Sequence, residues 1–393
     1  MDNPNNVWTI LQTKPFRLFF PLGILYGILG VGHWAMWSVG WTIPGISFTH
    51  ASLQAQGFLG SFVVGFLLTA FPRMTGTSPC SKTEIVIALM TSLGFLFSSL
   101  TNHWPLAEAF FLAQITNLII FAARRIPLRK NNPPSSFVLM GFGFLHAVLG
   151  TSFLIASHFG EHFYSLYAIG RQMIQLGFLL CIVLGVTARL TPFLMGYGDD
   201  PRLELPDRNA PIDGKSLLIH GATGLLLLSS FFIEQKNQML AWALRAVLAT
   251  IHFLFYAKIA RPIRQQTGVI HFFVLSCWLI ILGLWTGLLA PKYRIAALHI
   301  VFIGGFSLMI FSFAMNVVYS HSAKPDKLFS RLIRMKVMGT CVIFALIFRV
   351  LADIWPAQYL LFIHIASGTW VLVALFWLIT LFPRFFDKPV SRH

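Results

Sequence analysis

Imidazole is neutral near pH 7, tolerable beside lipid, and a good ligand for haem iron, copper or zinc. The 393-residue chain carries thirteen histidines, and their depth along its apolar runs sorts them. His33, His50, His146, His299 and His364 fall in the half of the bilayer remote from the chain termini. His220, His252, His271 and His321 fall in the other half or at its surface. Two histidines from different helices at one depth can clamp a flat macrocycle from both faces. Any two of the five remote-half histidines, His33 and His364 among them, are metal-ligand candidates on this ground, and His50 and His299 both sit at helix starts. For any one of them alone the commoner role is packing, with the ring bonded to a backbone carbonyl.

Charged residues inside apolar runs are the second chemical signal, because each costs several kcal/mol unless it is paired or faces a cavity. Arg171, Arg189, Arg245, Lys336, Arg349 and Asp353 qualify. Arg349 and Asp353 are four apart on one helix and are read as an ion pair. Arg171 and Arg189 share the sixth run, where a guanidinium could bind a propionate or an anionic substrate; snorkelling to the surface is the rival role for Arg189. HFGEH (158–162) matches the H-x-x-E-H spacing of a zinc-hydrolase class. It sits in a short connection with Gly160 and no further carboxylate, so a surface loop is the commoner reading. Cys80, Cys181, Cys277 and Cys341 form no CxxC pair, which leaves neither a disulfide frame nor a cysteine metal site. No phosphate-binding glycine loop and no G-x-S-x-G serine motif occur.

These residues ride on a membrane protein. The chain is 56% hydrophobic and 11% charged, with a mean hydropathy of +0.73, against about 25% charged in soluble proteins. Apolar runs of about 20 residues predict an all-α polytopic bundle of twelve helices near 16–43, 52–72, 83–101, 105–123, 135–157, 165–195, 215–233, 238–258, 268–290, 294–320, 330–352 and 356–383. The first, sixth and tenth are long enough to tilt or extend along the interface. Helices are required, because in lipid each backbone amide must bond within its own segment. The net charge of +16 is placed by orientation. With both termini cytoplasmic, Lys14, Arg17, Arg73, Lys82, Arg124 and most later cations through Arg392 lie inside, whereas Lys236, Lys292 and Arg294 lie outside. That is the positive-inside pattern; it points to anionic lipid as the partner and not to nucleic acid. Trp34, Trp37 and Trp41 read as an interfacial belt. The polar MDNPNN start lacks a basic region and a cleavage site, so the first span is expected to stay.

One integral membrane domain (1–393) is expected, and an internal echo runs through it. GFLGSFVVGFLLTAFPRMTG (57–76) and GFLLCIVLGVTARLTPFLMG (177–196) align without gaps 120 residues apart and match at seven of twenty positions. GGFSLMIFSFAMNVVYSHS (304–322) begins similarly four helices later. Three four-helix repeats, about 16–123, 135–258 and 268–383, would account for twelve spans, the alternative being chance recurrence of Gly, Phe, Leu and Val.

Four stretches together resemble the NnrS family, the haem- and copper-containing membrane proteins of the bacterial nitric-oxide response. KPFRLFFPLG (14–23) is similar to that family's PFRPFF-like start, GFLLTAFPRMTG to its GFLLTAVPNWTG, ARLTPF (188–193) to its GRxIPF, and LHIVFIGGFSLMIFSFAMNVVYSHSAKP (298–325) to its LHxxTVGAIGxMxxxMxxRVxLGHTGRP. The resemblance implies an inner-membrane protein contributing to tolerance of nitric oxide. It implies haem or copper at His50, His299 and His321, with Arg171 a candidate cofactor contact from the depth reading above. Two departures bear on the metal. The family's HAHEMLFGF is HASLQAQGF here, with Ser52 and Leu53 in place of its second histidine and glutamate, and the arginine of RVxLGH is Asn316. Two rival classes remain open: a secondary transporter of a small anion, which fits twelve spans with internal similarity, and a cofactor-free scaffold or regulatory subunit. No reaction follows from the residues alone.

Overall fold

The computed structural model describes all residues except 1–5, 42–45, 161–163, 201–202, 212, 266–267, 323–327 and 388–393. Among the described residues twelve helices are long and apolar enough to cross a membrane: α1 Phe16–Ser38, α2 Ser47–Thr75, α3 Lys82–Leu100, α4 Trp104–Leu128, α5 Phe137–Ser157, α6 Ser165–Leu194, α7 Gly214–Ile233, α8 Gln238–Tyr256, α9 Val269–Leu289, α10 Pro291–Ser320, α11 Arg331–Ile354 and α12 Pro356–Phe385. No strand occurs among them; the only sheet-like feature is an isolated bridge, Asn131 to Asp207. Arg17 near the start of α1 donates to the Phe385 carbonyl at the end of α12 at 3.0 Å, so the first and last of these helices begin and finish at one end of the bundle, called the terminal end below.

Each helix is a run of Leu, Ile, Val and Phe long enough to bury its own hydrogen bonds, punctuated where the backbone must turn. Gly76 ends α2 in the left-handed region at φ 65°. A capping box of Ser81 and Glu84 starts α3. Gly40, at φ 96°, helps to end α1 at Ser38, five residues before the apolar run does, because Val39, Gly40 and Trp41 already belong to the turn. Helix α2 starts five residues earlier than its apolar run, at Ser47, which takes His50 into the helix.

Four-helix groups close into a ring. Helix α4 packs on α5, α8 on α9, and α12 on α1, so the fourth member of each group meets the first member of the next. The second member of each group forms the middle. Helices α2, α6 and α10 span 29, 30 and 30 residues, and are the most buried of the twelve, at 89%, 67% and 67% of their apolar windows. Each is broken by a π-helical turn, at Leu53–Leu59, Met173–Phe178 and Ile300–Ser307. A π-turn widens the helix by one residue and is frequent at functional sites.

Packing recurs at the 120-residue offset seen in the sequence. The ring of Tyr26 in α1 fills the place where a Cβ on Gly57 would sit, and the ring of His146 in α5 does the same over Gly177. A glycine in α2 or α6 thus lets a ring from the preceding helix lie flat against the backbone. Both rings are buried. His146 is the packing counterpart of a tyrosine.

Charges in the outer helices are settled locally. Arg125 of α4 holds Glu84 of α3 at 2.8 Å and lies 3.8 Å over the Phe121 ring. Arg245 of α8 holds Glu234, just past α7, at 2.6 Å, takes Ser230 Oγ at 2.8 Å, and lies 3.9 Å over Phe231. Arg189 donates to the Leu203 carbonyl at 3.0 Å, at the terminal end of the bundle.

Candidate functional site

At the end of the bundle away from the termini, α2, α6 and α10 open around a cavity of about 280 Å³, walled also by α1, α11 and α12. That is near the lower limit of small-molecule pockets, roughly 300 Å³. Its polar lining is His50, Gln54, Arg171, Gln175, His299 and Arg349, with Ser47, Ser307, Tyr359 and Ser367. Trp34 and Trp370 supply aromatic wall.

The histidines are held in the state a metal needs. Nδ1 of His50 donates to the Gly30 carbonyl of α1 at 3.0 Å, and Nδ1 of His299 to the Ile295 carbonyl one turn back at 2.8 Å. A carbonyl can only accept, so each Nδ1 carries the proton and each Nε2 keeps its lone pair. Trp34 meets the His50 ring edge-on at 6.0 Å. His50 lies three residues before one π-turn, and His299 abuts another. The two imidazoles are within electrostatic reach of each other, and Arg349 of both.

The lining has an order that follows the sequence offset. Ala51, Arg171 and His299 occupy matching places on α2, α6 and α10, 120 and then 128 residues apart. Ala55, Gln175 and Ile303 match one turn further on, and Leu59, Leu179 and Ser307 one turn beyond that. All nine line the cavity. Four-residue spacing keeps one face of a helix turned to one side, so the three central helices present equivalent faces to a common space. What differs is the chemistry at the top of each: small, cationic, imidazole.

Arg171 is half-buried and has no hydrogen bond or ion pair among the described residues. Arg349 gives one N–H to Asp353 at 3.0 Å, the i,i+4 pair expected from sequence, and still lines the cavity. The two guanidiniums face a space whose described lining holds no carboxylate.

The remaining candidates lie elsewhere. His33 is buried, with Nδ1 on the Leu29 carbonyl at 2.5 Å, and is outside the cavity lining though within electrostatic reach of His50. His364 is exposed and meets Ser38 Oγ at 2.9 Å. His321 is at the opposite end of the bundle, its Nε2 2.6 Å from Arg73. The structure therefore gathers His50, His299 and Arg171 in one space and leaves His33, His364 and His321 out of it. His220 and His252 face each other across α7 and α8 with ring centroids 5.7 Å apart, and Tyr256 stacks on His252. Of HFGEH, His158 to Gly160 belong to the described residues, and Glu161 and His162 fall outside them.

Three lining residues were overlooked by sequence reasoning. Arg349 was explained by its pair with Asp353, although one guanidinium can serve both a pair and a cavity. Trp34 was assigned to an interfacial belt. Gln175 was not singled out; extending the 120-residue alignment upstream of Gly57 sets it opposite Ala55, and Arg171 opposite Ala51.

The donor set can be tested against the groups that the family resemblance implies. Two neutral imidazoles from separate helices, with two guanidiniums beside them, would suit a haem, His50 and His299 offering nitrogen ligands to its iron and Arg171 and Arg349 cationic partners to its propionates. A closed copper centre is a poorer fit. Among the described residues no three His, Cys, Asp or Glu side chains come together, and Ser52 and Leu53 stand where further donors would be needed.

A family model described as NnrS protein matches residues 10–388, nearly the whole chain. A search of curated proteins returned no match.

Proposed function

The chain belongs to the NnrS family, and on that premise we propose that it binds haem in the cavity between α2, α6 and α10 and contributes to tolerance of nitric oxide in the bacterial inner membrane, with both termini cytoplasmic. The observation that carries the reading is the pairing of His50 and His299, each with its Nε2 lone pair free, in one cavity with an unpaired arginine. When bound, haem iron would supply affinity for a diatomic ligand and one-electron chemistry. The chain's own groups do the rest. The Gly30 and Ile295 carbonyls fix the imidazole tautomers, Arg171 and Arg349 attract carboxylates, and the apolar walls of Trp34, Phe302 and Trp370 exclude water. The twelve-helix, inside-positive charge distribution supports the orientation.

Visible spectroscopy tests this directly. Protein expressed with haem supplied is expected to show a Soret band with one haem per chain, lost when His50 and His299 are both changed to alanine. Colourless, metal-free protein overturns the assignment. The two guanidiniums also favour a second reading, a carrier of a small anion. Chloride or nitrate uptake into proteoliposomes that Arg171→Gln abolishes, in haem-free protein, would select it.

A further inference from the structure

Below the histidine cavity, toward the terminal end, lies a second, half-open pocket of about 90 Å³ lined by the same three helices with α1 and α9. Phe62, Ile182 and Ile310, which occupy matching places on α2, α6 and α10, all line it. Its lining is apolar apart from Thr187, whose hydroxyl donates to the Val183 carbonyl at 2.8 Å. A buried water requires two to four polar partners, and a wholly apolar void stays dry. A charged or hydrogen-bonding ligand would lose its hydration there without replacement. The space is also smaller than the roughly 150 Å³ apolar void that accepts benzene, which leaves room for only a few atoms. These limits leave a small, uncharged, apolar molecule.

The void connects two places. Leu59 and Leu179 line both cavities, so their side chains form the partition between them. On the other side, Phe66, Val186 and Phe313 are half-buried, with the Phe66 and Phe313 rings edge-on at 5.9 Å across α2 and α10. An apolar solute concentrates in the hydrocarbon of the bilayer relative to water, and these three side chains are among the least buried of the pocket's lining.

We propose that the second void is a docking and access site for a diatomic gas, taken from the bilayer past Phe66 and Phe313 and passed between Leu59 and Leu179 to the histidine cavity; its destination rests on the haem reading above. The lining selects by size and polarity, and no side chain is asked to donate or accept a proton. A gas arriving this way reaches the space between the imidazoles without crossing the polar mouth.

Xenon is the probe. Full-length protein crystallised and pressurised with xenon is expected to give an anomalous peak between Phe62, Ile182 and Ile310, absent in Ile182→Trp and, as a milder plug, in Val186→Phe. This readout is independent of haem. In haem-loaded protein, Leu179→Trp is expected to slow carbon monoxide association about tenfold, as when binding requires a conformational opening, with the Soret band unchanged. Xenon bound only elsewhere, or a lipid chain in the void, overturns the proposal even if haem is present. A colourless protein with xenon in the void defeats the haem reading and leaves the gas site standing.

Discussion

Arg245 and Arg171 are both arginines within membrane spans, and the fold treats them oppositely. Arg245 is 1% exposed and meets a carboxylate, a hydroxyl and an aromatic face. Arg171 meets none of these and turns to a cavity with two imidazoles. Arg125 repeats the first pattern with Glu84 and Phe121. Arg125 and Arg245 thus join neighbouring helices through carboxylates, whereas Arg171 of the central helix α6 faces a cavity whose described lining holds none. Arg171 is half-buried there, which leaves its guanidinium open to an anionic ligand.

The largest effect that separates the two regions is on stability. Glu234→Gln removes the partner of Arg245 and is expected to cost about 3–5 kcal/mol, measured by denaturant titration in detergent. Arg171→Gln removes a charge that has no partner, so stability is expected to hold within about 1 kcal/mol while haem retention falls. Equal destabilisation by both substitutions would show that Arg171 is structural, and the contrast would collapse.

A second contrast, of intermediate size, lies between histidines. His146 is fully buried, with Nδ1 on the Phe142 carbonyl at 2.7 Å and Nε2 without a hydrogen-bond partner among the described residues. It stands over Gly177 as Tyr26 stands over Gly57. His146→Phe keeps a ring over Gly177 and removes both the unused Nε2 and the Nδ1–H donated to a carbonyl of its own helix, so a change within about 1.5 kcal/mol is expected, with the Soret band intact. His50→Phe is expected to lose the band at comparable stability. Loss of the band in His146→Phe would move the cofactor to the middle of α5.

Much of this was legible in the chain and some of it could not be. The twelve spans follow from apolar runs of bilayer length, because lipid leaves the backbone no other option. His50 and His299 could be placed at one depth, since helix direction alternates and each sits near a helix start at the same end, but singling them out from five histidines rested on the resemblance. The start of α2 was misplaced because Ser47 and His50 look polar in a hydropathy window, yet line a cavity. The π-turns have no one-dimensional signature; three of them contain a glycine, Gly57, Gly177 or Gly305, with a neighbouring side chain close against its backbone, and the one at His252–Tyr256 has none. Arg349 shows the limit of assigning one role per residue: a correct local pair concealed a second neighbour. The 120-residue echo held more than its seven identities suggested, because the equivalence lies in which face looks inward, and Arg171 against His299 scores as a mismatch in any alignment.

The smallest expected effect lies outside the spans, at Cys80 in the turn between α2 and α3. Its thiol is 1% exposed and donates to the Leu68 carbonyl at 3.1 Å; burial pushes its pKa up to about 12. A free thiol ionises near 9 in the unfolded chain. The folded state therefore favours the protonated form, and the stability linked to Cys80 is complete below pH 9 and is lost as pH rises from 9 toward 12. Cys80→Ala is expected to flatten that part of the pH–stability curve, and maleimide is expected to leave Cys80 unlabelled at pH 8 in native protein. Arg125, which reaches the Ser78 and Pro79 carbonyls beside it, makes this turn part of the paired, closed region. Rapid labelling at pH 8 in folded protein would show that the turn opens, and that the closed character assigned to the outer helices does not extend to their connections.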